Sequence, residues 1–384
     1  MSEYQYYEFL AIDQPLTEDE MDELRALSTR ATITPVSFTN YYNWGDFKGN
    51  PDKLMQRYFD AHVYVANWMT AIFMVRLPIE ALSKKTAEAL AVPYMLDIKA
   101  IKTHWLITWH LEESENYDRF GMEDGRGWMA RLAPVRDELL RGDMRSLYIG
   151  WLAGVTGEMM DDDEMEPVSI SGLGILTGAQ QALAEFLEVD PDLLAGAAMG
   201  SPAVQSEKIS EKDMDKWIDA LPRNEVKTVL KQLLEGKSHL AERSIKNRFA
   251  AWRRGLQTDK IDAPRRTVGE LRQNAEKARQ IRLEKQKRDR KRREIKRREK
   301  RKAYLKNLSN NFPKAWESVR EPVERGSGRG YDEACRALVY IAEAYDLFAT
   351  KKQFQKELKK FMTGHTRRKA LIQRLLKAGI WKDK

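Results

Sequence analysis

The chain has 384 residues, 42% hydrophobic and 32% charged, with 66 Lys and Arg against 58 Asp and Glu for a net charge of +8. That length admits two or three domains, and ten tryptophans are enough to build a core. No apolar run approaches the roughly 20 residues that span a bilayer, no secretory signal opens the chain, and one cysteine excludes an internal disulfide, so the sequence reads as cytoplasmic with no membrane contact.

Residues 1–160 alternate between strand-like and helix-like segments. Residues 4–12 read as a strand. Thr17 and Glu20 stand at capping-box spacing, and Met21, Leu24 and Leu27 then recur on one helical face. Residues 61–68 and 70–77 have strand composition and too short a separation for a helix, so they predict a hairpin; 95–101 and 104–111 repeat the pattern. Residues 128–140 and 144–155 read as helices. The fold class is therefore α+β, with a mixed, largely antiparallel N-terminal domain followed by an all-α region.

Asp161, Asp162, Asp163, Glu164 and Glu166 then precede Pro167 and two glycines. This stretch reads as a solvated acidic linker that opens a helical middle region over residues 161–256, with docking on the basic segment as the other reading. Thr177 begins one helix there. Asp190-Pro191 begins another, since it joins an N-cap to proline at the first helical position. Residues 211–235 and 239–256 are amphipathic. A long basic charged helix covers 257–310, and a C-terminal helical unit covers 311–384. That unit carries Trp316, Val319 and Val323, a glycine-rich break at 326–330, a helix over 331–348, and apolar rows through Phe354, Leu358, Phe361 and 371–380.

Charge divides the chain. Residues 241–310 hold 26 Lys and Arg against 9 Asp and Glu, a net +17, which leaves the remainder at −9. Between Glu284 and Lys302 the only apolar residue is Ile295. The candidate phosphate contacts are Lys287, Arg288, Arg290, Lys291, Arg292, Arg293, Lys296, Arg297, Arg298, Lys300, Arg301 and Lys302. Cations on several faces of a helix neutralise phosphates without reading bases, which gives salt-sensitive, sequence-independent binding. The charge run holds no aromatic residue to stack on a base, so single-strand readout is not indicated. Glu284–Arg288, Asp289–Arg293 and Glu294–Arg298 stand at i, i+4, each adding about 0.2–0.5 kcal/mol to an isolated helix. The same segment thus reads equally as a self-supporting spacer of roughly 60 Å. Leu271, Ala275, Ala278 and Ile281 form a coiled-coil stripe that ends where the charge run begins.

No catalytic signature stands out. His62, His104, His110, His239 and His365 are scattered, and one cysteine cannot build a multi-cysteine zinc site, so neither metal nor cofactor is expected. Cys335 sits in an apolar helical pattern and reads as an inert thiol. Gly172 to Gly178 lacks the Lys-Ser/Thr of a phosphate-binding loop and reads as a helix start at Thr177. Residues 38–50 interleave aromatics with Asn, Asp and Gly, which suits either a recognition loop or core packing. An enzyme would need groups assembled across the fold, such as Asp46, Asp143 and Arg145.

Several strings in residues 1–200 resemble an uncharacterised bacterial protein family: residues 7–13, 27–30 with Thr34-Pro35, 43–47, 142–151, and 161–163 with Glu166-Pro167. That resemblance implies no activity. Trp316, residues 331–334, Phe354 with Leu358, and His365 through Lys369 with Arg374-Leu375 are similar to the helical tail of bacterial SWIM-type zinc-finger proteins. The zinc finger's own Cys-x-Cys and Cys-x-His pairs have no counterpart. The resemblance implies a helical accessory module without the finger.

Together these readings predict a non-enzymatic binding or adaptor protein whose long basic helix contacts a DNA or RNA backbone without sequence preference. The alternative is a scaffold that presents protein-interaction domains at the ends of a charged helical spacer, its partner being another protein.

Overall fold

Seven strands absorb the period-two apolar pattern of the first 111 residues. The computed structural model describes residues 4–112, 114, 124–203, 211–256 and 265–381. Its strands are β1 (Gln5–Leu10), β2 (Thr32–Thr34), β3 (Ser37–Tyr42), β4 (Ala61–Ala66), β5 (Thr70–Pro78), β6 (Leu96–Ile101) and β7 (His104–Leu111). They form one antiparallel sheet in the order β2-β3-β1-β4-β5-β7-β6. Both expected hairpins are present, with Val63 opposite Phe73 and Ile98 opposite Ile107. Alternate residues point to opposite faces, and each face is buried. Val63, Phe73, Val75, Ile107 and Trp109 enter a large core, whereas Phe9, Phe38, Met74 and Leu106 enter a second one.

Helices α1 (Glu18–Leu27) and α2 (Pro51–Arg57) cover the second core through Leu24, Leu54 and Met55. The Thr17–Glu20 capping box forms as the spacing predicted. Residues 38–42, read as part of a loop or core segment, are strand β3, and Phe47 is buried against Tyr7, Phe9 and Phe38. Tyr41 and Trp44 stay open, Trp44 at 73% exposure. On the other face lie α3 (Lys84–Leu90), α4 (Trp128–Leu132), α5 (Pro134–Leu140), α6 (Arg145–Thr156), α7 (Gly178–Phe186) and α8 (Pro191–Met199). The expected helix over 128–140 is two helices, because Pro134 opens the second one and cannot continue the first. Ten of the twelve residues of α6 are buried. Gly150 permits this, since a Cβ there would lie 2.7 Å from the Trp109 ring.

Thr177 caps α7 with a reciprocal Gln180 bond, and Asp190 caps α8 ahead of Pro191, as expected. Then follow α9 (Glu211–Asp219), α10 (Arg223–Leu234), α11 (Ser238–Leu256) and α12, which runs unbroken from Val268 to Asn310. The chain divides into two compact units, Met1–Ile281 and Arg282–Lys384, so α12 begins in the first and ends in the second.

In the second unit, α12 is followed by α13 (Phe312–Glu324), α14 (Gly328–Phe348), α15 (Lys351–Thr363) and α16 (Lys369–Lys377). Val319, Val323, Leu338, Ile341, Phe354 and Leu371 form its core. The glycine-rich break is the start of α14. Ser327 accepts from the Gly330 amide, and Gly330 lies against the Pro322 carbonyl where no side chain fits. Among the described residues no helix is long and apolar enough to cross a membrane.

Candidate nucleic-acid interface

The first four amides of a helix have no intrahelical acceptor, and α12 meets this need with the acidic stretch before α7. Val268 N–H donates to the Glu164 carbonyl and Gly269 N–H to the Asp162 carbonyl, both at 2.9 Å. Thr267 and Glu270 form a capping box at the same end. The Asp162 carboxylate pairs with Arg272, and Glu166, buried, binds Arg266 through both oxygens at 2.7 and 2.8 Å. Tyr148 donates to Glu166 from below. Burial works to raise the Glu166 pKa, but the bonds from Arg266 and Tyr148 outweigh it and hold the carboxyl below its ordinary value. The stretch expected to be a free solvated linker is therefore folded onto the start of α12, and its carboxylates complement the positive end of the helix dipole. It docks on this first turn and on Arg272, short of the charge run.

The coiled-coil stripe is also used within the chain. Leu271 and Ala278 are buried and Ala275 packs on the first unit's core, while Ile281 is exposed. Gly196 of α8 makes the approach possible, because a Cβ there would meet the Ala275 backbone nitrogen at 2.5 Å. No apolar seam remains for a partner helix along these residues.

Every residue from 279 to 304 is exposed. These 26 residues hold fifteen Lys and Arg against four Asp and Glu. Glu284 pairs with Arg288 at 3.5 Å and Glu294 with Arg298 at 2.6 Å, as their spacing predicted, whereas Asp289 and Arg293 do not come within 4 Å. Arg301 is committed elsewhere: its guanidinium grips Glu343 of α14 at 2.5–3.0 Å and lies 5.7 Å from the centre of the Tyr340 ring. The other nine expected contacts are Lys287, Arg290, Lys291, Arg292, Arg293, Lys296, Arg297, Lys300 and Lys302. None of them has a carboxylate within 4 Å among the described residues. At 100° per residue they surround the helix rather than line one face.

Arg301 brings with it a feature that the sequence reading missed. Tyr304, just beyond the charge run, meets Tyr340 edge to face at 5.5 Å, and both rings stay open to solvent. The only local signal was Tyr304 itself; its partner lies 36 residues away in another helix.

Groups that could have carried catalysis are engaged structurally. Arg145 binds Asp143 at 2.6–3.2 Å and donates to the carbonyls of Gly172 and Ile175, while Asp46 accepts from Gln5. Asp60 is buried between Arg76 and Arg136; burial opposes its ionisation, but the two guanidinium groups prevail and its pKa is lowered. His62 is fully buried, stacks 3.8 Å from Phe9 and bonds the Glu8 carbonyl. Burial and the nearby Asp332 raise the pKa of the half-buried Cys335 thiol, which disfavours a reactive thiolate. Among the described residues no three His, Cys, Asp or Glu side chains are placed to hold a metal ion. Cavities of about 590 Å³ beside Tyr94 and Trp151, and about 200 Å³ beside Arg76 and His104, do not bring Asp46, Asp143 and Arg145 together. No protein-family model, curated protein or solved structure matches this chain.

Proposed function

We propose that the protein is a non-enzymatic adaptor that binds nucleic-acid backbones without sequence preference through residues 287–302, and that it acts in the cytoplasm. One observation carries this reading: nine cations with no carboxylate partner among the described residues encircle a fully exposed stretch of helix. Such a stretch repels itself, and exposed i, i+4 pairs return only about 0.3–0.5 kcal/mol each. A polyanion removes the repulsion and releases its own condensed counterions. Anchorage of α12 by buried Leu271 in the first unit and buried Leu305 in the second favours a second reading, in which the helix serves only as a spacer of a protein scaffold.

Titration of duplex and single-stranded probes with salt separates the two. The nucleic-acid reading expects affinity to fall steeply, by roughly 10³ between about 50 and 200 mM salt for a site of about six phosphates. Replacing Arg290, Lys291, Arg292, Arg293, Arg297 and Lys300 with Gln should flatten that slope. Absence of binding to either probe at about 50 mM salt would leave only the scaffold.

A further inference from the structure

We infer that the C-terminal end of the charge run binds unpaired nucleobases, so that the preferred partner is a single-stranded nucleic acid. This rests on the nucleic-acid reading above and narrows it. Arg290, Arg293, Arg297, Lys300 and Tyr304 follow one another at spacings of three or four and therefore lie along one face of α12. All four cations of that row are exposed and lack a carboxylate partner among the described residues. The row leads to an aromatic ring that is 51% exposed, and Tyr340 of α14 adds a second ring at 37%. Arg301 pairs with Glu343 where the rings meet and Leu305, next to Tyr304, is buried, so packing positions the rings before any ligand arrives.

The chemistry required of a single-strand site is present in this order: a line of cations for the phosphates, then flat apolar faces for the bases. The faces take any base, since each base has a π-surface, which keeps the binding sequence-independent. Cations at helical spacing of three to four stand about 5–6 Å apart in a straight line. A flexible strand can follow such a line, whereas the backbone of a duplex winds away from it. Bases stacked within a duplex also cannot reach the rings.

Fluorescence anisotropy of the full chain with labelled oligo-dT, oligo-U and a duplex of equal length tests this. Both single strands should bind at least tenfold tighter than the duplex. Tyr304→Leu keeps an apolar side chain but removes the π-face, and should weaken single-strand binding roughly 5- to 100-fold with duplex binding unchanged. Tyr304→Phe should bind as the wild type does. In case Tyr304→Leu perturbs folding, ultraviolet cross-linking of the unaltered protein to oligo-dT or oligo-U should place the adduct at Tyr304 or Tyr340. Equal or better duplex binding, a silent Tyr304→Leu, or adducts confined to other residues overturns the inference. If the salt-sensitive binding persists in those outcomes, the broader reading stands; if no probe binds, both fall.

Discussion

In residues 1–281, 45 Asp and Glu outnumber 34 Lys and Arg, and the buried carboxylates of Asp60 and Glu166 meet guanidinium groups; in residues 282–384 the balance reverses to 13 against 32, and most of the surplus stays in water. Glu166–Arg266 and Glu294–Arg298 show the difference at the scale of single pairs. The first has side chains 4% and 17% exposed and is tied to Tyr148, two backbone groups and the start of a helix. The second has side chains 55% and 79% exposed and no other ion pair among the described residues. Buried, a charge must be answered within the fold, so it specifies structure. Exposed, it contributes little to stability and remains available to a partner.

The largest expected effect tests the buried side. Arg266→Ala should cost the first unit about 3–5 kcal/mol in denaturant unfolding, because it removes the guanidinium and leaves the buried Glu166 carboxylate with only Tyr148 and the amide of residue 266 to answer it. A loss below about 1 kcal/mol would mean that water solvates Glu166 and that the contrast between the units is overstated. His62 provides the next. Burial pushes its pKa down from 6.5 to about 3 despite the bond to Glu8. The unfolded chain takes up a proton below pH 6.5 and the folded one does not until about pH 3, so stability is fully present above 6.5 and falls with acidification. The slope is about 1.4 kcal/mol per pH unit, or about 2 kcal/mol between pH 6.5 and 5. His62→Gln should remove that difference between paired unfolding curves. In the second unit, where packing rather than charge holds the core, Gly330→Ala should cost about 1–3 kcal/mol, since its methyl group would meet the Pro322 carbonyl. Unchanged melting of that unit would show that α13 and α14 separate freely.

What the sequence revealed follows the same division. The caps at Thr17, Thr177 and Asp190 were legible because a cap and the amide that donates to it lie within three residues of one another. The hairpins over 61–78 and 96–111 were legible because a short turn fixes the register of adjoining strands. Strand β3 was not: its hairpin partner β2 is only three residues long, its other partner β1 lies more than 25 residues earlier, and its polar Thr39, Asn40 and Tyr41 break the alternation of apolar residues. The partner of the acidic stretch was equally hidden, with Glu166 and Arg266 100 residues apart. The charge run could be read to the residue, but not that Arg301 leaves it for Glu343 or that Tyr304 finds Tyr340. Spacing encodes local geometry; it does not encode which distant group arrives.

The smallest expected effect bears on the exposed side. Glu294→Gln removes the carboxylate of an i, i+4 pair, so its cost in stability should be no more than about 0.5 kcal/mol, within reach of a careful denaturant titration. The same change frees Arg298 and raises the net charge of the run by one. If the run exists to meet a polyanion, Glu294→Gln should bind the probe slightly more tightly and steepen the salt dependence by about one released ion. Removing Glu166 offers no such gain, because Arg266 there is enclosed and faces no partner. A stability loss above about 1.5 kcal/mol with no gain in binding would mean that Glu294 is needed to keep the helix formed, and the run would then be holding itself together as its partner-free function requires.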